Sequence, residues 1–192
     1  MKDQSPEQVT ALDLSPVDPL PPATQKYFDI CEEKLGLVPN VLKAYAFDID
    51  KLDAFTALYN DLMLAPSGLT KLEREMIAVT VSAINRCVYC LTAHGQAVRE
   101  LSGDPVFGEH LVMNYRAADI TPKQRAMLDF AVKVTEASHT IEEPDRDALR
   151  AHGWTDRDIW DIANVTGFFN MTNRVASATE MAPNPDYHAR NR

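Results

Sequence analysis

No stretch of this 192-residue chain stays apolar for the roughly 20 consecutive residues a membrane-spanning helix needs, which excludes a helical anchor as the organising feature. The opening residues, MKDQSPEQVTALDLSP, lack the compact apolar core of a signal peptide, so a cytoplasmic protein is expected. Three unevenly placed cysteines are too few for the multi-bridge framework of a small secreted domain. Basic residues are in deficit: 19 Lys and Arg against 28 Asp and Glu leave a formal charge of -9. With no basic cluster interleaved with aromatics, nucleic acid is not an expected partner. Alternation of apolar and polar residues between hairpin turns is also missing, so a sheet does not dominate. Haem, flavin and nicotinamide motifs are absent as well, and no bound cofactor is expected.

What remains is the signature of helices. A chain that is 45% hydrophobic and 24% charged is balanced for folding rather than disorder, and its length suits one substantial core. Residues 1–22 carry five prolines and read as an irregular arm whose apolar residues can lie on the body or on a neighbouring subunit. Residues 23–182 read as a single all-helical domain, and 183–192 as a polar tail. Helices are predicted over 23–34, 50–64, 72–85, 88–101 and 142–151, with a short one after Pro39 and others opening at Pro105, Thr121 and Thr155. Thr70 and Thr121 both resemble helix starts followed by long apolar runs, which leaves a duplicated helical unit open. The helix after Thr70 is apolar on more than one side, so Glu75 should be partly enclosed.

Chemistry concentrates in one place. Cys87-Val88-Tyr89-Cys90 begins a helix, with His94 one turn beyond Cys90 and Glu75 upstream on the preceding helix. Three-residue spacing brings the two sulfurs within reach of a disulfide, and a helix N-terminus favours a thiolate. A zinc site needs four ligands; Cys87, Cys90 and His94 supply three, and Glu75 would have to complete the set. Purely structural thiols are the third reading of the same residues. Cys31 stands alone in a helical context and reads as a buried small side chain. Trp154, Trp160, Phe168 and Phe169 read as core, subunit interface or substrate vestibule.

The segment from Glu75 through Cys87-Val-Tyr-Cys90-Leu-Thr-Ala-His94, with Leu37-Val-Pro-Asn-Val41 and Asp53-Ala-Phe55 upstream, resembles the alkylhydroperoxidase D-like, carboxymuconolactone decarboxylase superfamily. It is most similar to the peroxidase-related subgroup, over roughly residues 25 to 180. The resemblance implies a helical bundle forming a homo-oligomer. It implies that Glu75 orients His94, that His94 takes the proton of Cys90, and that Cys87 is the more accessible partner that resolves an oxidised Cys90 as a disulfide. Where members commonly place a second histidine before the second cysteine, this chain has Tyr89, a supporting hydrogen-bonding residue rather than a base. The implied substrate is a hydroperoxide or a disulfide, and an external thiol reductant, a lipoyl group or protein dithiol, must restore the pair. A non-catalytic redox sensor and a decarboxylase-like enzyme of small acids are the alternatives.

Overall fold

The computed structural model describes residues 8–192, and every regular element among them is helical. In chain order these are α1 Pro22–Leu35, α2 Asn40–Tyr45, α3 Ile49–Leu64, α4 Lys71–Ile84, α5 Val88–Ser102, α6 Pro105–Asn114, α7 Pro122–Ala137, α8 Glu143–Ala151 and α9 Asp156–Ala178, with short 3-10 turns at Tyr115–Ala117, Ser138–Thr140 and Pro185–His188. The ends follow from local chemistry. Thr70 with Glu73, Thr121 with Gln124 and Thr155 with Asp158 each form a reciprocal capping box, satisfying donors that the first turn cannot pair internally. Gly36 and Gly103 close α1 and α5 at φ 67° and 68°, in the left-handed region where a side chain would be strained. The matching boxes of α4 and α7 are consistent with a duplicated helical unit, although α9 opens on the same box.

Helix α4 lies at the centre. Its residues from Glu73 to Ser82 are all buried, and it packs against α5, α9, α7 and α6. Met76, Ile77, Val79 and Val81 are fully or almost fully enclosed and meet Phe169, Ile162, Leu128 and Met127 in the main core. Each such side chain contributes roughly 1.5–3 kcal/mol by leaving water. A smaller cluster of Phe28, Cys31, Leu42, Ala46 and Leu52 joins α1, α2 and α3 beside this core.

Both ends of the chain are fastened to the bundle. The first seven residues of the predicted arm, Pro6 included, lie outside the described residues. Beyond them the arm bonds by backbone: Ala11 N–H donates to Thr179 O at 2.8 Å, Ala182 N–H to Val9 O at 2.9 Å, and Val17 N–H to Ala46 O at 2.9 Å. The segment read as a polar tail is instead packed. Arg99 is buried and its guanidinium donates to Tyr187 O at 2.8 Å and to Arg190 O at 3.1 Å, which draws the Tyr187 ring inward. Charge alone concealed this, because the partner of that buried cation is main-chain carbonyl. Of the two tryptophans, Trp154 is core, its indole N–H donating to Lys123 O at 3.0 Å, whereas Trp160 is exposed.

The loop before α4 has no spare volume. A Cβ on Gly68 would stand 1.8 Å from Asp158 Oδ1, and that carboxylate cannot retreat because Thr155 N–H and hydroxyl hold its other oxygen at 2.8 and 2.7 Å. Gly68→Ala should therefore lose about 1–3 kcal/mol in urea unfolding. An unchanged midpoint would show that the loop absorbs the methyl group.

Candidate active site

The site is made by one reversal of the chain. After α4, Asn85 keeps helical dihedrals, Arg86 turns to φ 55°, and Cys87 becomes the N-cap of α5 with its N–H donating to Ser82 O at 3.0 Å. A left-handed arginine is an uncommon conformation that the surroundings have to hold. Asn85 does so by donating through Nδ2 to Asn170 Oδ1 at 3.1 Å and Asn173 Oδ1 at 2.9 Å on α9. The reversal lays α5 back along α4, and residues 19 apart meet: His94 Nδ1–H donates to Glu75 Oε2 at 2.6 Å. Both side chains are largely enclosed, at 14% and 11% exposure, so the pair is shielded from bulk water. With Nδ1 committed to the carboxylate, Nε2 is the nitrogen left for proton exchange. The Phe169 ring meets the imidazole edge-on at 4.7 Å and fixes its plane.

The two thiols are electrostatically unlike. The Cys87 thiol is lowered to about 6, chiefly by hydrogen bonding from Cys90, then by the Cys90 backbone N–H, the Ser177 hydroxyl and the nearby His94, all opposing the effect of burial. The Cys90 thiol is pushed far above the usual range by its bond to Cys87, by burial and by the Cys87 charge, with Asn173 and Thr172 acting in the other direction. The proton that the two sulfurs share is therefore biased toward Cys90. Neither sulfur is exposed, Cys87 at 1% and Cys90 at 3%, so the implied contrast between an accessible Cys87 and a protected Cys90 is not found. The cavity beside the pair is lined by Cys90, Glu75 and His94, and Cys87 stands behind that wall.

Helix α9 supplies groups that reading the sequence missed. Asn173, fully buried, donates to Ser82 Oγ at 2.9 Å and hydrogen-bonds Cys90, Thr172 also bonds Cys90, and Ser177 bonds Cys87. Their signal was present as a polar stripe, Thr166, Asn170, Asn173 and Ser177, at helical spacing along an otherwise apolar helix. Tyr89 is also more structural than expected. Helix α2 begins after Pro39 with no side-chain cap, and its first N–H groups are satisfied from elsewhere: Val41 N–H donates to the Tyr89 hydroxyl at 2.9 Å and Asn40 N–H to Asn184 Oδ1 at 2.7 Å. The Tyr89 phenol, held well above its ordinary value by burial, stays neutral and fastens α2 over the thiols.

The cavity measures about 620 Å³ and is bounded by α1, α2, α3, α5, α9 and the turn carrying Tyr187. Phe168 and Phe169 line it, as does Cys31, which is buried in the smaller core cluster rather than joined to the pair. Among the described residues no group of three or more His, Cys, Asp or Glu side chains could hold a metal ion, and no helix is long and apolar enough to cross a membrane.

The model of the carboxymuconolactone decarboxylase family matches residues 50–106. An uncharacterised peroxidase-related protein from Silicibacter sp. TM1040 is 69% identical, with a TM-score of 0.95 over 99% of this chain and 100% of that one. A second peroxidase-related protein with an alkylhydroperoxidase AhpD core, from Ralstonia eutropha JMP134, is 43% identical with a TM-score of 0.92, covering 96% of this chain and 97% of its own. A protein of unknown function from Agrobacterium tumefaciens is 25% identical with a TM-score of 0.64 over 71% of this chain and 92% of its own. No curated protein sequence matches.

The shared proton has a measurable consequence. Thiolate ultraviolet absorbance should vanish as pH falls through about 6, and Ser177→Ala should move that midpoint upward by removing a bond to the charged form. The sign for stability agrees: between about 6 and the ordinary thiol value of 9.0 the unfolded pair binds more protons than the folded one, so stability rises as pH rises across that window and is lost as pH falls through about 6. A titration midpoint near the ordinary thiol value would overturn the assignment.

Proposed function

The chain belongs to the alkylhydroperoxidase AhpD and carboxymuconolactone decarboxylase superfamily, in its peroxidase-related branch, and from that premise we propose that it is a dithiol enzyme that reduces a hydroperoxide at Cys90. The observation that carries the reading is the enclosed 2.6 Å contact between His94 and Glu75 on the same cavity wall as Cys90. An isolated cysteine pair needs no such histidine. A pair that must release a proton at an enclosed site does.

In the proposed cycle the Cys90 proton passes to Nε2 of His94, and Glu75 stabilises the imidazolium that forms. The Cys90 thiolate attacks the terminal oxygen of the hydroperoxide. The O–O bond breaks, Cys90 becomes a sulfenic acid, and the departing alkoxide takes the proton back from His94 to leave as an alcohol. Cys87, held as a thiolate by the α5 N-terminus and Ser177, attacks the Cys90 sulfur and displaces hydroxide, which leaves as water after protonation. The product is the Cys87–Cys90 disulfide. An external dithiol supplies the two electrons that restore it, attacking the cavity-facing Cys90 sulfur and expelling Cys87, the sulfur that leaves more readily because its thiol is the more acidic. The asymmetry of the pair thus serves both halves of the cycle.

Reduced protein given one equivalent of organic hydroperoxide should lose both thiols as an intramolecular disulfide. Cys90→Ser should stop the reaction, and Cys87→Ser should leave a sulfenic acid that a dimedone probe captures. Glu75→Gln and His94→Gln should each lower kcat/KM by about 10²–10⁴-fold. Loss of carbon dioxide from a small acid with both thiols untouched would sink the redox reading. Oxidation without turnover under any supplied dithiol would point to a sensor.

A further inference from the structure

The cavity is much larger than peroxide chemistry alone requires. At about 620 Å³ it exceeds many times the roughly 30 Å³ that one water molecule occupies in the liquid, so most of its volume serves the organic part of a substrate. The wall facing that volume is a continuous succession of rings. Tyr45 stacks on Phe55 at 4.6 Å with planes 16° apart, Phe55 lies 6.4 Å from Tyr59, Tyr59 meets Phe168 at 6.1 Å, and Phe168 meets Phe169 edge-on at 5.4 Å. Phe169 in turn abuts the His94 ring, so the succession ends on the reacting base. All six rings line the cavity, and they come from α2, α3, α9 and α5.

Two of these rings carry unused polar ends. The hydroxyls of Tyr45 and Tyr59 make no hydrogen bond among the described residues, and Tyr59 is close enough to Glu75 to feel its charge. A phenol lining a cavity without a protein partner favours a ligand that brings an acceptor oxygen. The helix-borne wall of rings also discriminates by shape. A rigid ring stacks on it with little entropy to lose, whereas a flexible chain must surrender its rotamer freedom for the same contact.

We propose that the cavity selects a ring-bearing organic molecule with an acceptor oxygen beside the ring, stacked along the Tyr45, Phe55, Tyr59 and Phe168 wall with its reducible group at Cys90. The proposal rests on the peroxidase reading for the reducible group, and on the cavity alone for the ring. Binding and turnover separate the two. In Cys90→Ser protein, calorimetry should show cumyl alcohol binding more tightly than nonyl alcohol, a straight chain with the same number of carbons. Transfer from water alone favours the chain, so this order requires recognition of the ring. Phe55→Leu should weaken cumyl alcohol several-fold, up to about tenfold, and leave nonyl alcohol unchanged, while Tyr59→Phe should weaken only the oxygenated ring ligand relative to cumene. Equal binding of the two alcohols, tighter binding of the chain, or binding of neither would overturn the ring assignment even if the native enzyme reduces every hydroperoxide supplied. Preferential ring binding with no reduction of cumyl or nonyl hydroperoxide would uphold the ring assignment and overturn the peroxidase reading.

Discussion

The carboxamide of Asn173 has no access to solvent, so its acceptor and donors must find partners within the protein. Its oxygen accepts from Asn85, its nitrogen donates to Ser82, and it also bonds the Cys90 sulfur. These are the end of α4, the chain reversal and the first turn of α5. One side chain on α9 therefore holds in register the three pieces whose relative placement defines the site. Without it the reversal at Arg86 would keep only the bond from Asn85 to Asn170, and the encounter of Glu75 with His94 depends on that reversal. A buried amide of this kind is costly to leave half satisfied, which makes its geometry nearly all-or-none.

The difference between the thiols comes from their immediate surroundings, and Asn173 works against it by lowering Cys90. A helix N-terminus offers unpaired N–H groups at its first residues, and Cys87 occupies the cap while Cys90 sits one turn inward. Hydrogen bonding from Cys90, with help from Ser177, lowers the first thiol, and the bond to Cys87 together with burial raises the second. The acidic sulfur lies behind the wall and the protonated one forms part of it.

Much of this was legible in residues. The reciprocal caps at Thr70, Thr121 and Thr155 mark helix starts because each combines an oxygen acceptor with a side chain three residues on that reaches back, a purely local relation. The burial of Glu75 followed from apolar residues on several sides of α4. The contact between Glu75 and His94 was not derivable from spacing, because it depends on a left-handed Arg86, and nothing about arginine announces that conformation. The roles of Thr172, Asn173 and Ser177 were hidden by distance along the chain, although their polar stripe on an apolar helix was open to view. Tyr89 resembled a substituted base and serves as a distant cap for α2, whose own N-cap, Pro39, offers no side-chain acceptor. Tyr187 lay in a segment whose charges suggested solvent, and the deciding contact was the Arg99 guanidinium donating to the Tyr187 carbonyl.

That last contact bears on how the protein is made. Residues 75–94 are synthesised well before the C-terminal segment, yet Met181 packs against the thiol pair and Tyr187 forms part of the cavity wall. The cysteines therefore emerge from the ribosome ahead of the residues that cover them. Until the chain near Arg190 is free to dock on Arg99, the pair lacks part of its enclosure and its complete binding surface. Selective chemistry is thus a property this chain acquires only once residues 181–190 have docked.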